Sequence, residues 1–281
     1  DECGPLRFLD DVGPIIEAHN RERVSVYCYS TSKISDWMTE SLTQNADHWQ
    51  NIAEMSDEET IQLIRSDGLD ILIDLSGHTP GNRLAAISQR LAPIQISWLG
   101  YPSPTRVPAI DYIICDEVVL PPTEWEIDAE GEKPLILPGG FHCYSQQAKV
   151  VMAPLPPSVE RQYITFGSFN TLAKISPSCL SLWTDVLTAI PGSRLLLKRS
   201  PLTEQDLRLK FEKQFAELGI ESERISFMWD LPSTAHHLDQ YGEIDIALDT
   251  FPYNGTTTTC DALWMGVPVI TLLGDQWVSR K

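Results

Sequence analysis

Apolar runs alternate with amphipathic segments along the first half of the chain. The apolar runs predict β-strands at 24–29, 69–75, 94–99 and 112–116. Helical periodicity and an acid-rich helix start predict helices at 6–18, 57–64 and 84–90. The run at 69–75 is apolar almost throughout, which is typical of a strand covered on both faces. The polar stretch 30–50 receives no element.

A proline-rich interval at 152–158 interrupts this rhythm, and the same pattern then restarts. Strands are predicted at 164–169, 193–198, 224–227, 244–249 and 266–272, with helices at 177–190 and 204–218. Strands that alternate with helices indicate parallel sheets. We therefore expect two α/β halves, residues 1–150 and 161–281, joined by a linker at 151–160, with the cleft between them as the default ligand site.

Both ends of the chain fall at unusual points of this pattern. The first half opens on a helix that no strand precedes, and the second half stops shortly after a strand. We expect the first strand and the last helices of the fold to be absent from this sequence.

The segment from Tyr253 to Trp264 carries the strongest chemical signal, because four successive threonines, Thr256–Thr259, follow Asn-Gly between two predicted strands. In a βαβ unit the start of the helix offers free backbone N–H groups, and phosphates bind there. The alternative is that the threonines only cap the helix. One cap needs one hydroxyl, so the pattern favours a phosphate site.

Composition limits the partners. The chain has 281 residues and a net charge of −18, which argues against binding to nucleic acid or to an anionic membrane. A phosphorylated ligand would have to be attracted locally, by helix dipoles, backbone N–H groups and a few basic side chains. No apolar run reaches the roughly 18 residues that span a bilayer. The six cysteines are scattered and read as reduced thiols, so a cytoplasmic protein is expected.

Metal chemistry has no signal in the sequence. No His, Cys and Asp set shows zinc spacing, and no acid pair forms the D-x-D clamp of a metal-dependent nucleotide-sugar site. We expect no metal and no cofactor.

Two turns in the first half are candidates for chemistry. The turn at 76–83 follows the strand at 69–75. Its His78 is either a functional group, acting as an acid, a base or a hydrogen-bond donor to a phosphate, or an ordinary turn histidine. Arg83 sits at a helix start, where the dipole disfavours a cation, so it is functional or paired with an acid. The turn at 99–102 is interpreted as functional, whereas Trp98 before it is interpreted as core.

Lys174 lies between the first strand and first helix of the second half. Alone it would be a surface lysine. Beside the predicted phosphate site, it can reach a diphosphate and offset the charge that develops on a departing phosphate.

Taken together these motifs resemble a known family. The blocks at 77–83, 92–102, 111–116, 169–175 and 248–268 are closely similar to the catalytic region of the protein O-linked N-acetylglucosamine transferases, in the bacterial SPINDLY-like form of glycosyltransferase family 41. The resemblance covers nearly the whole chain. It implies a GT-B fold, with two Rossmann-like domains facing a central cleft, and an inverting, metal-independent glycosyltransferase whose second domain holds a nucleotide-diphosphate sugar.

The resemblance also assigns residues. Lys174 would contact the diphosphate and assist the leaving group, and His78 is the second catalytic candidate. Arg83, Leu99, Gly100 and Pro102 would form the sugar and acceptor side. The predicted nucleotide and diphosphate contacts are Asn170, Thr171, His237, Thr256, Thr257, Thr258 and Asp261.

The chain departs from the animal enzymes at several of these positions. The differing residues are His78, Thr171, Ala173, Thr234, Gln240 and Thr256. No repeat of about 34 residues is found, so the tetratricopeptide repeats that present acceptor proteins in the family are absent here.

Three functions stay open. The first is transfer of N-acetylglucosamine from its UDP donor to Ser or Thr hydroxyls of proteins. The second keeps the fold but uses GDP-fucose or UDP-glucose, or an Asn acceptor. The third is a nucleotide-sugar-binding module without turnover.

Overall fold

A computed structural model describes residues 9–122, 131–146, 150–198, 205–229 and 233–281. The chain divides into two compact units, Asp1–Ser145 and Gln146–Lys281. The proline-rich interval lies in the second unit, and its role as a linker stays a prediction. None of the described helices is both long enough and apolar enough to cross a membrane.

The described residues of the first unit form four helices and six strands. They are α1 Leu9–Ala18, β1 Tyr27–Ser30, α2 Trp37–Asn45, β2 His48–Asn51, α3 Asp57–Asp67, β3 Ile71–Asp74, α4 Leu84–Ile87, β4 Ile94–Ser97, β5 Tyr112–Cys115 and β6 Lys133–Ile136. Strands β3, β4, β5 and β6 form one parallel sheet in that order, and β1 and β2 form a separate parallel pair.

Local sequence fixes the ends of α3. Ser56 accepts a hydrogen bond from the backbone N–H of Glu59, whose carboxylate accepts one from Ser56 N, so both ends of a capping box are satisfied. Gly68 ends the helix with φ of 65°, a left-handed conformation that favours glycine. The helix then leads into β3, whose carboxyl end carries the His78 turn.

In its described ranges the second unit forms a five-stranded parallel sheet with helices between the strands. Its elements are α5 Ser158–Arg161, β7 Thr165–Ser168, α6 Pro177–Ala189, β8 Arg194–Lys198, α7 Gln205–Glu217, β9 Ile225–Met228, α8 Thr234–Asp239, β10 Ile246–Leu248, α9 Thr257–Trp264 and β11 Val269–Ile270. The strand order is β11-β10-β7-β8-β9. From β7 the chain builds β8 and β9 on one side and β10 and β11 on the other, so the direction of the sheet order switches between β7 and β10.

The sheet of the second unit is covered on both faces. Leu195 and Leu197 of β8 pack in one apolar cluster with α6 and α7, whereas Leu196 packs in another with α8 and α9. Successive residues of a strand point to opposite faces, so the two clusters lie on opposite sides of the sheet. This burial explains the continuous apolar runs of the sequence.

Three sequence expectations need correction. The stretch 30–50 contains α2 and most of β2, and neither element was predicted. Strand β2 shows no apolar pattern, because all four of its residues are exposed or half-buried. Strand β6 was missed because it begins Lys-Pro, and proline is tolerated only at an edge position such as this one. Strand β3 is not covered on both faces: as an edge strand it leaves Ile71 and Ile73 51% and 45% exposed.

Candidate functional site

Two loops of the second unit leave the sheet at its switch point. Strands β7 and β10 are parallel neighbours, with Ile246 opposite Phe166, so the loops 169–176 and 249–256 emerge from the same edge. In open α/β sheets, ligands bind at this position. The loop 169–176, which carries Lys174, and the loop 249–256, which leads to the threonine run, therefore lie next to each other.

Lys174 is half-buried at the end of a short 3₁₀ turn in the first of these loops. Its Nζ donates to the carbonyl oxygen of Asn254 at 2.9 Å and lies 4.2 Å from the centre of the Tyr253 ring. The ammonium is thus held against the second loop, close to the threonine run.

Lys281 adds a second basic group. Its Nζ lies 5.0 Å from the centre of the Tyr253 ring. Burial, together with the nearby charge of Lys174, lowers the pKa of Lys281 to about 7, while Asp249 opposes the shift. A bound anion would favour the charged form of this amine.

Asp249 organises the second loop. Its Oδ1 accepts from the backbone N–H groups of Thr250 at 2.8 Å and Gly255 at 2.7 Å, and from Nδ2 of Asn170 at 3.2 Å. Its Oδ2 accepts from the hydroxyl of Thr271 at 2.8 Å. Sequence reasoning treated Asp249 only as the end of a strand. The available signal was an acid that follows a buried strand and precedes a tight turn.

The start of α9 carries the threonines. Thr256 occupies the N-cap position, but its side chain makes no capping hydrogen bond, and its buried hydroxyl has no partner among the described residues. The interpretation that the threonines only cap the helix therefore fails for Thr256. Because the first N–H groups of a helix have no partner within it, α9 also presents backbone donors here.

Gly255 and Asn170 fix this helix start against the neighbouring loop. A Cβ on Gly255 would lie 2.7 Å from the hydroxyls of both Thr258 and Thr259, so only glycine fits. The Thr258 hydroxyl donates to Oδ1 of Asn170 at 2.9 Å, and the Asn170 amide group holds Asp249. Asn170 is thus a bridge between the two loops. Thr171 lies beside it and is exposed.

Three buried polar side chains lie behind the helix start. His237 of α8 is 3% exposed and Asp261 of α9 is fully buried, with 3.3 Å between His237 Nε2 and Asp261 Oδ2. On the other side of the imidazole, Nζ of the fully buried Lys198 lies 2.5 Å from Nδ1. Sequence reasoning identified His237 and Asp261 but missed Lys198, because it sits at the end of an apolar strand far away in the chain.

The candidates of the first unit lie at the carboxyl ends of β3 and β4. His78 is exposed, and its Nε2 lies 2.7 Å from the carbonyl oxygen of Thr105. A carbonyl only accepts hydrogen bonds, so Nε2 carries a proton, and in the neutral form of the imidazole Nδ1 is the proton acceptor. The ring meets Tyr101 edge-on, with 5.1 Å between centroids.

Two buried acids support the loops around His78. Asp74 accepts from the backbone N–H groups of Ser76 at 3.2 Å and Gly77 at 2.8 Å. Glu132 accepts from the backbone N–H of Thr105 at 2.8 Å and from its hydroxyl. Burial raises the pKa of both carboxyl groups, and their hydrogen bonds oppose the rise.

The predicted sugar-side turn packs directly on the His78 turn. A Cβ on Gly100 would lie 1.8 Å from the carbonyl oxygen of Leu75, and a Cβ on Gly77 would lie 2.2 Å from Cβ of Tyr101. Leu99 adopts a positive φ of 72°, which fits the irregular turn expected there. Pro102 is half-buried, and Trp98 is buried at 8% exposure, as interpreted from the sequence.

Arg83 is paired with an acid, and its predicted place on the sugar and acceptor side stays a prediction. Its guanidinium pairs with Asp57 of α3 at 3.2 Å and donates to the carbonyl oxygen of Ile52 at 2.6 Å. It ties the start of α4 to the preceding loop and helix.

Metal ligands do not cluster in the described ranges: no three His, Cys, Asp or Glu side chains come together there. The expectation of chemistry without a metal stays a prediction.

Comparisons with known proteins agree with the fold and the motifs. The sequence model of glycosyl transferase family 41 matches residues 11–152 and 145–281. The probable UDP-N-acetylglucosamine–peptide N-acetylglucosaminyltransferase SPINDLY of Oryza sativa subsp. japonica is 38% identical over 278 residues, covering 96% of this chain and 30% of the relative. The chain thus spans about a third of the length of such curated relatives.

Solved structures give the same result. A mutant O-GlcNAc transferase of Thermobaculum terrenum has a TM-score of 0.91 and 36% identity, covering 99% of this chain and 52% of that one. Anabaena HepE in complex with UDP and glucose has a TM-score of 0.56 at 14% identity, covering 95% of this chain and 76% of that one, a likeness of fold alone. The predicted fold class, α/β of the GT-B type, is confirmed.

Proposed function

The chain belongs to glycosyl transferase family 41, and from this premise we propose that it is the catalytic region of an inverting glycosyltransferase. The donor is UDP-N-acetylglucosamine, and the acceptors are Ser and Thr hydroxyls of proteins. The second unit binds the nucleotide diphosphate.

One observation carries this proposal: the Lys174 ammonium is held 2.9 Å from the Asn254 carbonyl. Asn254 lies two positions ahead of the Thr256 hydroxyl at the start of α9, which has no hydrogen-bond partner in the described part of the chain. A cation, a hydroxyl and a helix N-terminus are the groups that bind phosphate. They supply local attraction within a chain of net charge −18. Asn170 and Asp249 hold the two loops in this arrangement.

The chemistry is a single displacement. The acceptor hydroxyl oxygen forms a bond to the anomeric carbon, the bond from that carbon to the diphosphate oxygen breaks, and the hydroxyl proton passes to a base. Lys174 and the N–H groups of α9 stabilise the charge that develops on the departing diphosphate. His78 is the proposed base, because the Thr105 carbonyl leaves its Nδ1 as a proton acceptor.

The decisive experiment replaces Lys174 with Ala and measures sugar transfer and UDP binding in parallel. Loss of one such charged donor is expected to lower the turnover rate about 100-fold or more. UDP binding changes far less, because the other donors stay in place. Lys210→Ala on α7, an exposed lysine, is the matched control. Transfer at the normal rate in Lys174→Ala would rule out the role given to this lysine.

The setting of the reaction is part of the proposal. We infer a cytoplasmic enzyme that uses no metal, meets neither nucleic acid nor membrane, and acts on proteins presented by tetratricopeptide repeats outside this chain. Transfer that stops when a chelator removes divalent cations, and resumes when they are restored, would contradict the metal-free step.

Another donor is favoured by one observation. Thr234 lies on α8 and Gln240 directly follows it, and neither residue is cationic. The buried Oε1 of Gln240 has no partner among the described residues. An amide can pair with a different base, so the guanosine donor GDP-fucose is the second candidate, whereas UDP-glucose has the same base as UDP-N-acetylglucosamine and stays a prediction. Thermal shifts with UDP and GDP separate the two bases, and transfer assays with each UDP-sugar separate the two sugars. Tight UDP binding with neither transfer nor donor hydrolysis would instead identify a binding module.

A further inference from the structure

The proposed stabilisation of the departing phosphate does not involve the buried group of Lys198, His237 and Asp261. Lysine is rarely fully buried without a purpose, because desolvation of its ammonium is costly. Here the Lys198 side chain ends between the imidazole of His237 and the ring of Phe169, whose centroid lies 5.0 Å from Nζ.

With Lys198 as the ammonium, the geometry sets the proton positions. An ammonium only donates hydrogen bonds, so at 2.5 Å from Lys198 the Nδ1 of His237 has to be the acceptor. The single ring proton of a neutral imidazole then sits on Nε2, which faces the carboxylate oxygen of Asp261 at 3.3 Å. A second proton on the ring would place two positive charges next to each other.

We propose that Lys198 is a positioning residue for the donor nucleotide: it holds His237 as the neutral imidazole protonated on Nε2, and through that proton it orients Asp261. This inference rests on the proposed function, since it assumes that His237 and Asp261 contact the nucleotide. Lys198 comes from β8, His237 from α8 and Asp261 from α9. Three elements are therefore joined by one hydrogen-bonded chain that ends on the helix whose start binds the phosphate.

Other groups face this histidine from the surrounding elements. Tyr241 meets its ring edge-on at 5.7 Å between centroids, and the Tyr241 hydroxyl donates to the carbonyl oxygen of Thr258. Phe169 packs on Tyr241 at 4.6 Å. His236 on the same helix is exposed and pairs with Ser233. The ionisable groups at the His237 ring thus include an ammonium, a carboxylate and a phenol.

The first test observes the unmodified chain and needs a variant only for assignment. Ring ¹⁵N-labelled histidine is introduced into the chain, and NMR follows the two nitrogens of His237, assigned with His237→Asn, between about pH 5 and pH 8, where an ordinary histidine titrates. We expect one protonated and one unprotonated nitrogen across the whole range, with the proton on Nε2. A proton on Nδ1, or titration at the ordinary pKa, would overturn the proposal.

The second test uses Lys198→Met and Lys198→Arg with UDP as the probe. Methionine fills the space without a donor, so His237 becomes free to titrate, and the dissociation constant of UDP should rise about tenfold and become pH-dependent. Arginine keeps a permanent donor, and we expect it to restore a pH-independent affinity. A purely structural lysine would weaken UDP binding equally at every pH.

Two failures are distinguishable. If the unmodified chain does not bind UDP, the proposed function fails, whereas the NMR result on His237 still decides the role of Lys198. If UDP binds but Lys198→Met leaves its pH profile unchanged, the role of Lys198 is wrong and the function stands.

Discussion

Replacement of Asp249 by Ala tests how the loop 249–256 is held in place. The carboxylate of Asp249 is 8% exposed and accepts four hydrogen bonds, two of them from the backbone N–H groups of Thr250 and Gly255. Both donor residues are buried. Alanine removes the acceptor of both N–H groups.

The expected loss follows from those two donors. A buried N–H that loses its acceptor costs about 1–3 kcal/mol, so two of them lower the free energy of unfolding by about 4 kcal/mol. Asp249→Asn keeps the oxygen that accepts from both backbone groups and loses only the acceptor for the exposed Thr271. We expect that matched control to cost about 1 kcal/mol.

The assay is urea unfolding followed by circular dichroism, combined with hydrogen exchange of the peptide that covers residues 249–256. Asp249→Ala should shift the unfolding midpoint far more than Asp249→Asn and should accelerate exchange at Thr250 and Gly255. A loss below about 1 kcal/mol with unchanged exchange would show that these amides have another acceptor, and the account of the loop would be refuted.

Two further predictions concern a glycine and a buried acid. Gly255→Ala places a Cβ 2.7 Å from two threonine hydroxyls of α9, so it should destabilise the chain by about 1–3 kcal/mol and weaken UDP binding. The control is Gly242→Ala, whose Cβ would lie 3.5 Å from Ala153. We expect this control to be tolerated in the same thermal and binding assays. Burial raises the pKa of Glu132 above its unfolded value, so folding takes up a proton and stability falls as pH rises from the unfolded to the folded pKa. Glu132→Gln keeps a carbonyl acceptor without the charge, so that fall should disappear from urea unfolding measured from about pH 4 upward, and an unchanged slope would contradict the assignment.

The sequence determined the elements of the second unit well, because both faces of its sheet are buried. Strands such as Arg194–Lys198 read as continuous apolar runs, and the loops between them carry Gly, Asn and Thr. The first unit was harder. Its strand His48–Asn51 has no buried residue, and Lys133–Ile136 starts with a proline, so local patterns carried little information about either.

The candidate site shows the same division. Lys174 and the threonine run were predicted from sequence, because a loop between a strand and a helix is where a parallel sheet binds anions. Asp249 and Lys198 were not predicted as site residues. In the sequence each is only the last residue of an apolar strand, and their partners come from distant parts of the chain.

The sequence by itself therefore determined the fold class and the family and predicted the loop chemistry, all of which depend on residue types close together in the chain. Only the tertiary structure decided which polar groups are buried and what they bind. Asn170 meets Asp249 across 79 positions, and Lys198 meets His237 across 39. Such pairs are set by strand order and by the cost of leaving a buried polar group without a partner, and no local pattern encodes either.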